Sequence, residues 1–233
     1  MNKEKLVQEL QLRGIAIDDK KVSELLEFMN YTLVANQSFN LTSITDEEQF
    51  VEKMIFDSAL GLYDFDITDK KVLDLGTGAG YPGMVLAILE KDAKVTLLDS
   101  TKKKIDHLAK YISEHKYNIE TVADRAEHFA KDNREKYDVV VARAVTQLPI
   151  LLELAMPLLK VGGTLIAYKG PEAFNEIKQS EKAMKKLKCH FQKTYEDVLP
   201  ESLEKRCLVY IVKDAATPNK YPREYNEIKK LPL

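Results

Sequence analysis

The sequence predicts an α/β fold: a seven-stranded, mostly parallel sheet wrapped by helices, closed by a C-terminal antiparallel hairpin and preceded by a helical N-terminal extension. Three observations predict it. From Lys71 onward short β-branched runs, at residues 72–75, 95–98, 119–122, 139–142 and 164–168, alternate with helical ones. That is the rhythm of a parallel sheet covered by helices. Two more strand-like runs, residues 191–198 and 208–212, are separated by about ten residues, which is short for a helical crossover and suits a hairpin. The first third of the chain holds helical patterns alone.

In that first third, residues 3–13 place Leu6, Val7 and Leu10 on one face, with Gly14 as a C-terminal stop. Asp18 or Asp19 can cap a second helix that carries Val22, Leu25, Leu26, Met29 and Leu33 at helical spacing. Thr45-Asp-Glu-Glu48 has the form of a capping box ahead of Phe50, Val51, Met54 and Ile55. Residues 36–44 between them are polar, without helical periodicity, and read as a loop. Further on, Gly162-Gly163 punctuates the start of the fifth strand. Residues 172–186 are helical, and the Pro-, Lys- and Tyr-rich residues 218–233 are expected to lie over the surface. The division that follows is an extension, residues 1–65, packed on a single globular unit, residues 66–233.

Composition narrows the function classes. The longest apolar run, Met84 to Leu89, is far below the roughly 20 residues that span a bilayer, and the opening Met-Asn-Lys-Glu-Lys holds no apolar stretch long enough for a secretory signal, so none is expected. Cys189 and Cys207 lie far apart without CxxC spacing, the pattern of a reduced, cytoplasmic protein without a zinc site. His107, His115, His128 and His190 show no ligand spacing, so no metal is expected. The net charge of −2 does not advertise a nucleic-acid binder, but it is uneven: residues 1–60 carry a balance of −5 and residues 178–233 one of +5. The surplus is either a set of solvated helix faces or a basic flank for a polyanion.

The segment with most chemistry is Val72-Leu-Asp-Leu-Gly-Thr-Gly-Ala-Gly-Tyr-Pro-Gly83. A strand, then Gly76, Gly78 and Gly80, then a helix is the arrangement that brings bare backbone close to a nucleotide-like ligand. Gly78-x-Gly80-x-x-Gly83 also satisfies the dinucleotide fingerprint. Asp99, 19 residues after Gly80 at the end of the second strand, can accept from ribose hydroxyls of either NAD or S-adenosylmethionine. Three features favour the methyl donor. Asp74 extends the turn to Asp-x-Gly-x-Gly-x-Gly, a pattern common in methyltransferases. The terminal hairpin is their usual ending. The Tyr-x-x-x-Lys pair of short-chain dehydrogenases is taken as missing, and the chain is too short for a separate substrate domain. Asp74 either buttresses the turn or touches the ligand. Asp124-Arg-Ala-Glu127 after the third strand is either an adenine site or a helix start with favourable acids. Arg143, after the fourth strand, stands at the carboxyl edge where ligands sit in open α/β sheets. Lys102-Lys-Lys104 reads as a solvated helix face.

Several segments together resemble one family, the bacterial 16S rRNA (guanine-N7) methyltransferase G family, historically glucose-inhibited division protein B. They are Asn40-Leu-Thr-Ser-Ile44, Asp74-Leu-Gly-Thr-Gly-Ala-Gly-Tyr-Pro-Gly83, Leu98-Asp-Ser100 with Lys103-Lys104, Arg125-Ala-Glu127, Ala142-Arg-Ala144 and Lys169-Gly170, in family order. The resemblance implies a class I, Rossmann-like methyltransferase fold, S-adenosyl-L-methionine as donor and a guanine N7 of 16S rRNA as acceptor. It also implies cofactor contacts at Gly76, Tyr81, Ala126, Glu127 and Arg143. Tyr81 stands where the family more often has Phe or Leu.

Guanine N7 carries an in-plane lone pair at neutral pH, so no general base is expected and alignment of N7 with the methyl group carries the reaction. Arginine commonly grips guanine through O6 and N7; N7 must stay free, so Arg143 is expected to span cofactor and substrate by other contacts. Lys169 and the lysines of residues 178–193 are candidates for rRNA phosphates, and Asn40 and Thr42 for the substrate mouth. The expected partner is 16S rRNA, the small ribosomal subunit or its assembly intermediate, met by a monomer. The alternatives are a methyltransferase for a small molecule or protein, an RNA-binding protein without turnover and, remotely, an NAD-binding oxidoreductase.

Overall fold

Alternate residues of the central strands bury into two different apolar clusters, and this alternation sets the layers. Val139 and Val141 join Val72, Leu97 and Ile166 in one cluster. Val140 and Ala142 join Leu73, Leu75, Leu165 and Ala167 in the other. A sheet whose strands are buried on both faces must be covered on both. The computed structural model describes residues 1–233, the side chain of Phe39 excepted.

The extension begins with α1 (Lys3–Leu12), whose N-terminus is capped by Asn2 and which stops at Gly14, held at φ +70°. Helix α2 (Asp19–Phe39) is capped by Asp18, whose side chain accepts from the Lys21 amide, and ends on Asn40 in the left-handed region at φ 48°. Residues 36–39, read from the sequence as loop, continue this helix. The polar side chains of Asn36, Gln37 and Ser38 hide the periodicity, and Asn36 is nonetheless 9% exposed. Helix α3 (Glu47–Phe50) is capped by Asp46, not Thr45: the Asp46 carboxylate accepts from the Gln49 amide. It runs into a π-helical turn (Val51–Phe56), then α4 (Asp57–Ala59) and a 3-10 turn (Leu60–Leu62). The wider π-helical winding is invisible to a pattern search tuned to 3.6 residues per turn.

The sheet follows as β1 (Lys71–Leu75), α5 (Gly83–Leu89), β2 (Lys94–Asp99), α6 (Lys102–Ser113), β3 (Ile119–Ala123), α7 (Ala126–Asp132), β4 (Tyr137–Arg143), α8 (Leu148–Ala155) and β5 (Leu159–Lys169). After α9 (Ala173–Gln179) and α10 (Glu181–Leu187) come β6 (Cys189–Val198), β7 (Lys205–Lys213) and α11 (Tyr225–Lys230). The strand order is β3-β2-β1-β4-β5-β7-β6. The first five strands are parallel, and β7 runs antiparallel to both β5 and β6. The hairpin is therefore present, with its second strand inserted next to β5. Strand β5 starts before the glycine pair rather than after it; Gly162, at φ +82°, sits within the strand, near the register shift between Tyr137 and Val139 of β4.

Leu6, Leu10, Phe28, Phe50, Ile55 and Phe56 of the extension share one cluster with β1, α5 and β2. The extension also clasps the hairpin. The Glu52 carboxylate, 2% exposed, accepts from the Glu201 and Ser202 amides at 2.6 and 3.0 Å, and Arg13 pairs with Asp197. The C-terminal tail is not loose surface chain: Tyr221 and Ile228 are buried in the second cluster. Both cysteines are buried and free. Among the described residues no helix is long and apolar enough to cross a membrane.

Candidate active site

The sheet reverses its winding between β1 and β4, and a cleft of about 1120 Å³ opens there at the carboxyl ends of the strands, where ligands of open α/β sheets bind. Gly76, Thr77 and Gly78 form its floor, with Asp99 beside them. The amides of Gly76 and Thr77 donate to Leu98 O at 2.8 and 2.9 Å, and the Gly78 amide donates to Asp99 Oδ2 at 2.9 Å. Asp99 Oδ1 accepts from the Thr101 amide at 2.8 Å. The turn after β1 is thus tied to the end of β2, and each Asp99 oxygen keeps a lone pair for a further donor.

The three glycines divide by role. A Cβ on Gly78, where φ is +59°, would meet no atom closer than 4.0 Å and would stand in the cleft. A Cβ on Gly76 would meet Val145 Cγ2 at 2.7 Å. Gly80 does not line the cleft. A Cβ there would strike Leu108 Cδ2 at 2.8 Å and Phe28 Cζ at 2.9 Å, so this glycine serves the packing of α2 and α6 under the turn. Asp74 also lies outside the cleft lining. Its Oδ2 accepts from Thr77 Oγ1 at 2.6 Å and the Gly83 amide at 2.7 Å. It is the buttress of the turn, and burial pushes its carboxyl up to about 6.

Tyr81, Ala126, Glu127 and Arg143 all line the cleft. The Tyr81 ring packs on Phe28 and Phe50, with its hydroxyl 3.5 Å from Thr32 Oγ1; burial raises that hydroxyl. Glu127, 4% exposed, receives Arg125 Nε at 2.5 Å. At the end of β4, Arg143 Nη1 donates to Lys53 O at 2.7 Å and to Asp57 Oδ2 at 3.2 Å, and Nη2 lies 3.1 Å from Met54 Sδ.

The proposed RNA contacts fare differently. Thr42 lines the cleft; the Asn36 side chain clasps its amide and carbonyl at 2.9 Å each. Asn40 is exposed at the cap of α2 and outside the lining. Lys169 lines the cleft but is 9% exposed, its ammonium held by Glu176 Oε2 at 2.7 Å and Thr146 O at 2.8 Å. None of Lys178, Lys182, Lys185, Lys186, Lys188 or Lys193 lines it. Lys104, read as a solvated face, does.

The cleft residues that sequence reasoning missed include Lys53, Asp57, Arg206 and Tyr225. Arg206 Nε lies 3.2 Å from Asp57 Oδ1, so one buried carboxylate holds two arginines. The hairpin held a signal for Arg206, since an antiparallel β7 must begin at the carboxyl edge. Asp57 and Tyr225 had none. The Tyr-x-x-x-Lys spacing also does occur once, at Tyr225 and Lys229. Lys229 is exposed and outside the cleft lining, so the pair does not form a dehydrogenase site. His128 meets Glu224 at 3.4 Å and Asp124 at 3.8 Å in an exposed cluster beside Glu127.

The fold is that of methyltransferases. A Burkholderia thailandensis 1,6-didemethyltoxoflavin-N1-methyltransferase, solved with its substrate and S-adenosylhomocysteine, superposes with a TM-score of 0.55 at 12% identity, over 86% of this chain and 92% of that one. A SAM-dependent O-methyltransferase from Thermotoga maritima gives 0.51 at 14% identity, over 79% and 71%. Proteins called ribosomal RNA small subunit methyltransferase G are much nearer in sequence. One from Fusobacterium nucleatum is 41% identical, over 94% of each chain. One from Lactobacillus acidophilus is 36% identical over the full length of both. The model of the GidB family, described as rRNA small subunit methyltransferase G, matches residues 21–203. With this cleft, this sheet and these relatives, the chain belongs to the rRNA small subunit methyltransferase G family.

Proposed function

We propose that the protein transfers a methyl group from S-adenosylmethionine to the N7 of a guanine in 16S rRNA. The observation that carries this is one cleft with two chemically distinct ends, in a chain of this family. One end offers Gly76–Gly78 backbone and Asp99. The other offers Arg143 and Arg206, joined through Asp57.

The cofactor end fits S-adenosylmethionine. Gly78 leaves free the space that a Cβ would fill, and Asp99 presents acceptors for ribose hydroxyls. Gly76 and Gly78 would face the methionine portion, with Ala126 and Glu127 beside the adenine; Tyr81 would bound the pocket from the α2 side. Gly80 supports this site from beneath. Bound there, the cofactor supplies an electrophilic sulfonium methyl.

At the acceptor end Lys53, Arg143, Lys169 and Arg206 face Asp57, Glu176 and Glu204, a surplus of one positive charge. Arg143 and Arg206 would hold the target nucleotide through O6 and phosphate, leaving N7 its lone pair. The chain's contribution is alignment and exclusion of water, which suffices for an acceptor without a proton to lose. Thr42 at the mouth and the lysines of residues 178–193 outside it would touch flanking RNA. The extension, residues 1–65, acts as part of the same body as residues 66–233, since it supplies Lys53 and Asp57.

The test is transfer of labelled methyl from S-adenosylmethionine to 16S rRNA, to the small subunit and to an assembly intermediate, with the product mapped as N7-methylguanine. Label in all RNA substrates at background, with metabolites or proteins labelled instead, would replace this reading with the small-molecule or protein alternative. Binding of RNA should also weaken steeply with salt.

A further inference from the structure

The C-terminal tail is anchored far more firmly than surface chain needs to be. Arg134 donates to Thr217 O at 2.6 Å and to Tyr221 O at 2.7 Å. Arg223 grips Glu153 of α8 through Nε at 2.8 Å and Nη2 at 2.6 Å, and Glu153 is fully buried. Ile228 is fully buried among residues packed with α8. At the start of α11, Glu224 meets Lys131 at 3.3 Å and His128 at 3.4 Å. Together these contacts dock the tail against α7 and α8, and they carry Tyr225 into the cleft wall beside Arg125, Ala126 and Glu127.

There the Arg125 guanidinium lies over the Tyr225 ring, 4.8 Å from its centroid, while its Nε bonds to Glu127. The ring is half-buried, fixed by a cation over it and by the apolar cluster around α8. Purine rings bind on aromatic and guanidinium faces, and a ring ordered in advance loses little entropy when one docks. We propose that Tyr225 is a cofactor-binding residue, the aromatic wall against the adenine, and that the tail is a working part of the cofactor site. This rests on the cofactor reading above. Tyr225 lies beyond residues 21–203, the stretch that the family model matches.

The test is calorimetric titration of the full chain and two variants with S-adenosylhomocysteine, with hydrogen exchange of the unmodified chain alongside. Tyr225→Ala should weaken binding about ten-fold, and Tyr225→Phe should keep it within about two-fold, because the ring and not the hydroxyl makes the contact. In the unmodified chain, S-adenosylhomocysteine should slow amide exchange across residues 225–230, a readout that needs no variant to fold. Unchanged affinity in Tyr225→Ala, or unchanged exchange in the tail of a chain that binds the probe, overturns the proposal and leaves the cofactor reading standing. If the unmodified chain does not bind S-adenosylhomocysteine, the cofactor reading falls and this proposal with it.

Discussion

The Asp74 carboxylate and the Gly83 amide are joined by a 2.7 Å hydrogen bond that crosses the whole glycine turn. A Cβ on Gly83 would stand 2.7 Å from the same carboxylate oxygen and would overlap Leu97 as well. The strand before the turn and the helix after it are therefore pinned to one buried atom.

Asp74 makes stability depend on pH. Its carboxyl titrates near 6 in the folded chain against 3.8 in the ordinary case. Between about pH 4 and 6 the folded chain holds a proton that the unfolded chain has released, so this contribution is greatest below that window and falls as pH rises through it. Melting temperatures across pH 4–7 should show a downward component that disappears in Asp74→Asn; equal slopes for both chains would dismiss it. Asp74→Ala should cost about 1–3 kcal/mol for each donor it strands.

Gly78 and Gly80 should separate in experiment. Alanine at Gly78 costs about 1 kcal/mol for its left-handed backbone, but places a methyl group in the cleft, so S-adenosylhomocysteine affinity should drop while the fold persists. Alanine at Gly80 meets Leu108 and Phe28 and should cost about 1–3 kcal/mol or more through overpacking. Calorimetric titration and urea melts on both variants read the difference.

Arg143 and Arg206 should be removable without loss of the fold, because Asp57 keeps one arginine when the other goes. Arg143→Ala should lower methyl transfer about a hundred-fold, the scale of a misaligned reacting pair. Near-normal turnover would remove Arg143 from the mechanism. Arg206→Ala should leave S-adenosylhomocysteine affinity intact and reduce the salt dependence of RNA binding by about one charge.

Arg223→Ala takes the guanidinium from the buried Glu153 carboxylate and leaves it only the residue 223 amide, at 3.0 Å. The expected loss is about 3 kcal/mol, at the low end for a broken buried pair, because the released tail lets water in. A urea midpoint shift and faster proteolysis after residue 213 are the readouts.

Much of the fold was legible because its signals are local. The β-branched runs, the glycine turn and the Asp18 cap need only neighbours in sequence, and Gly76, Gly78, Asp99 and Arg143 stood at strand ends where an open sheet must gather its ligands. Errors came where local signals mislead. Polar residues 36–38 continue α2, Asp46 rather than Thr45 caps α3, and residues 51–56 wind as a π-helix. Gly80 looked like its two neighbours, yet only packing from α2 and α6 shows that it faces the core.

The sequence by itself determined the layered sheet, the glycine turn after the first strand and the ordered segments of the family, since each is written in residues close along the chain. Only the tertiary structure decided that Asp57 would bridge Arg143 and Arg206, that Lys169 would be held by Glu176 and that the tail would bring Tyr225 to the cleft. Those contacts join residues 86 positions apart for Arg143 and Asp57 and 7 for Lys169 and Glu176. They exist because strand order and buried charge pairing bring these groups to one edge of the sheet, and no periodicity in the sequence records that.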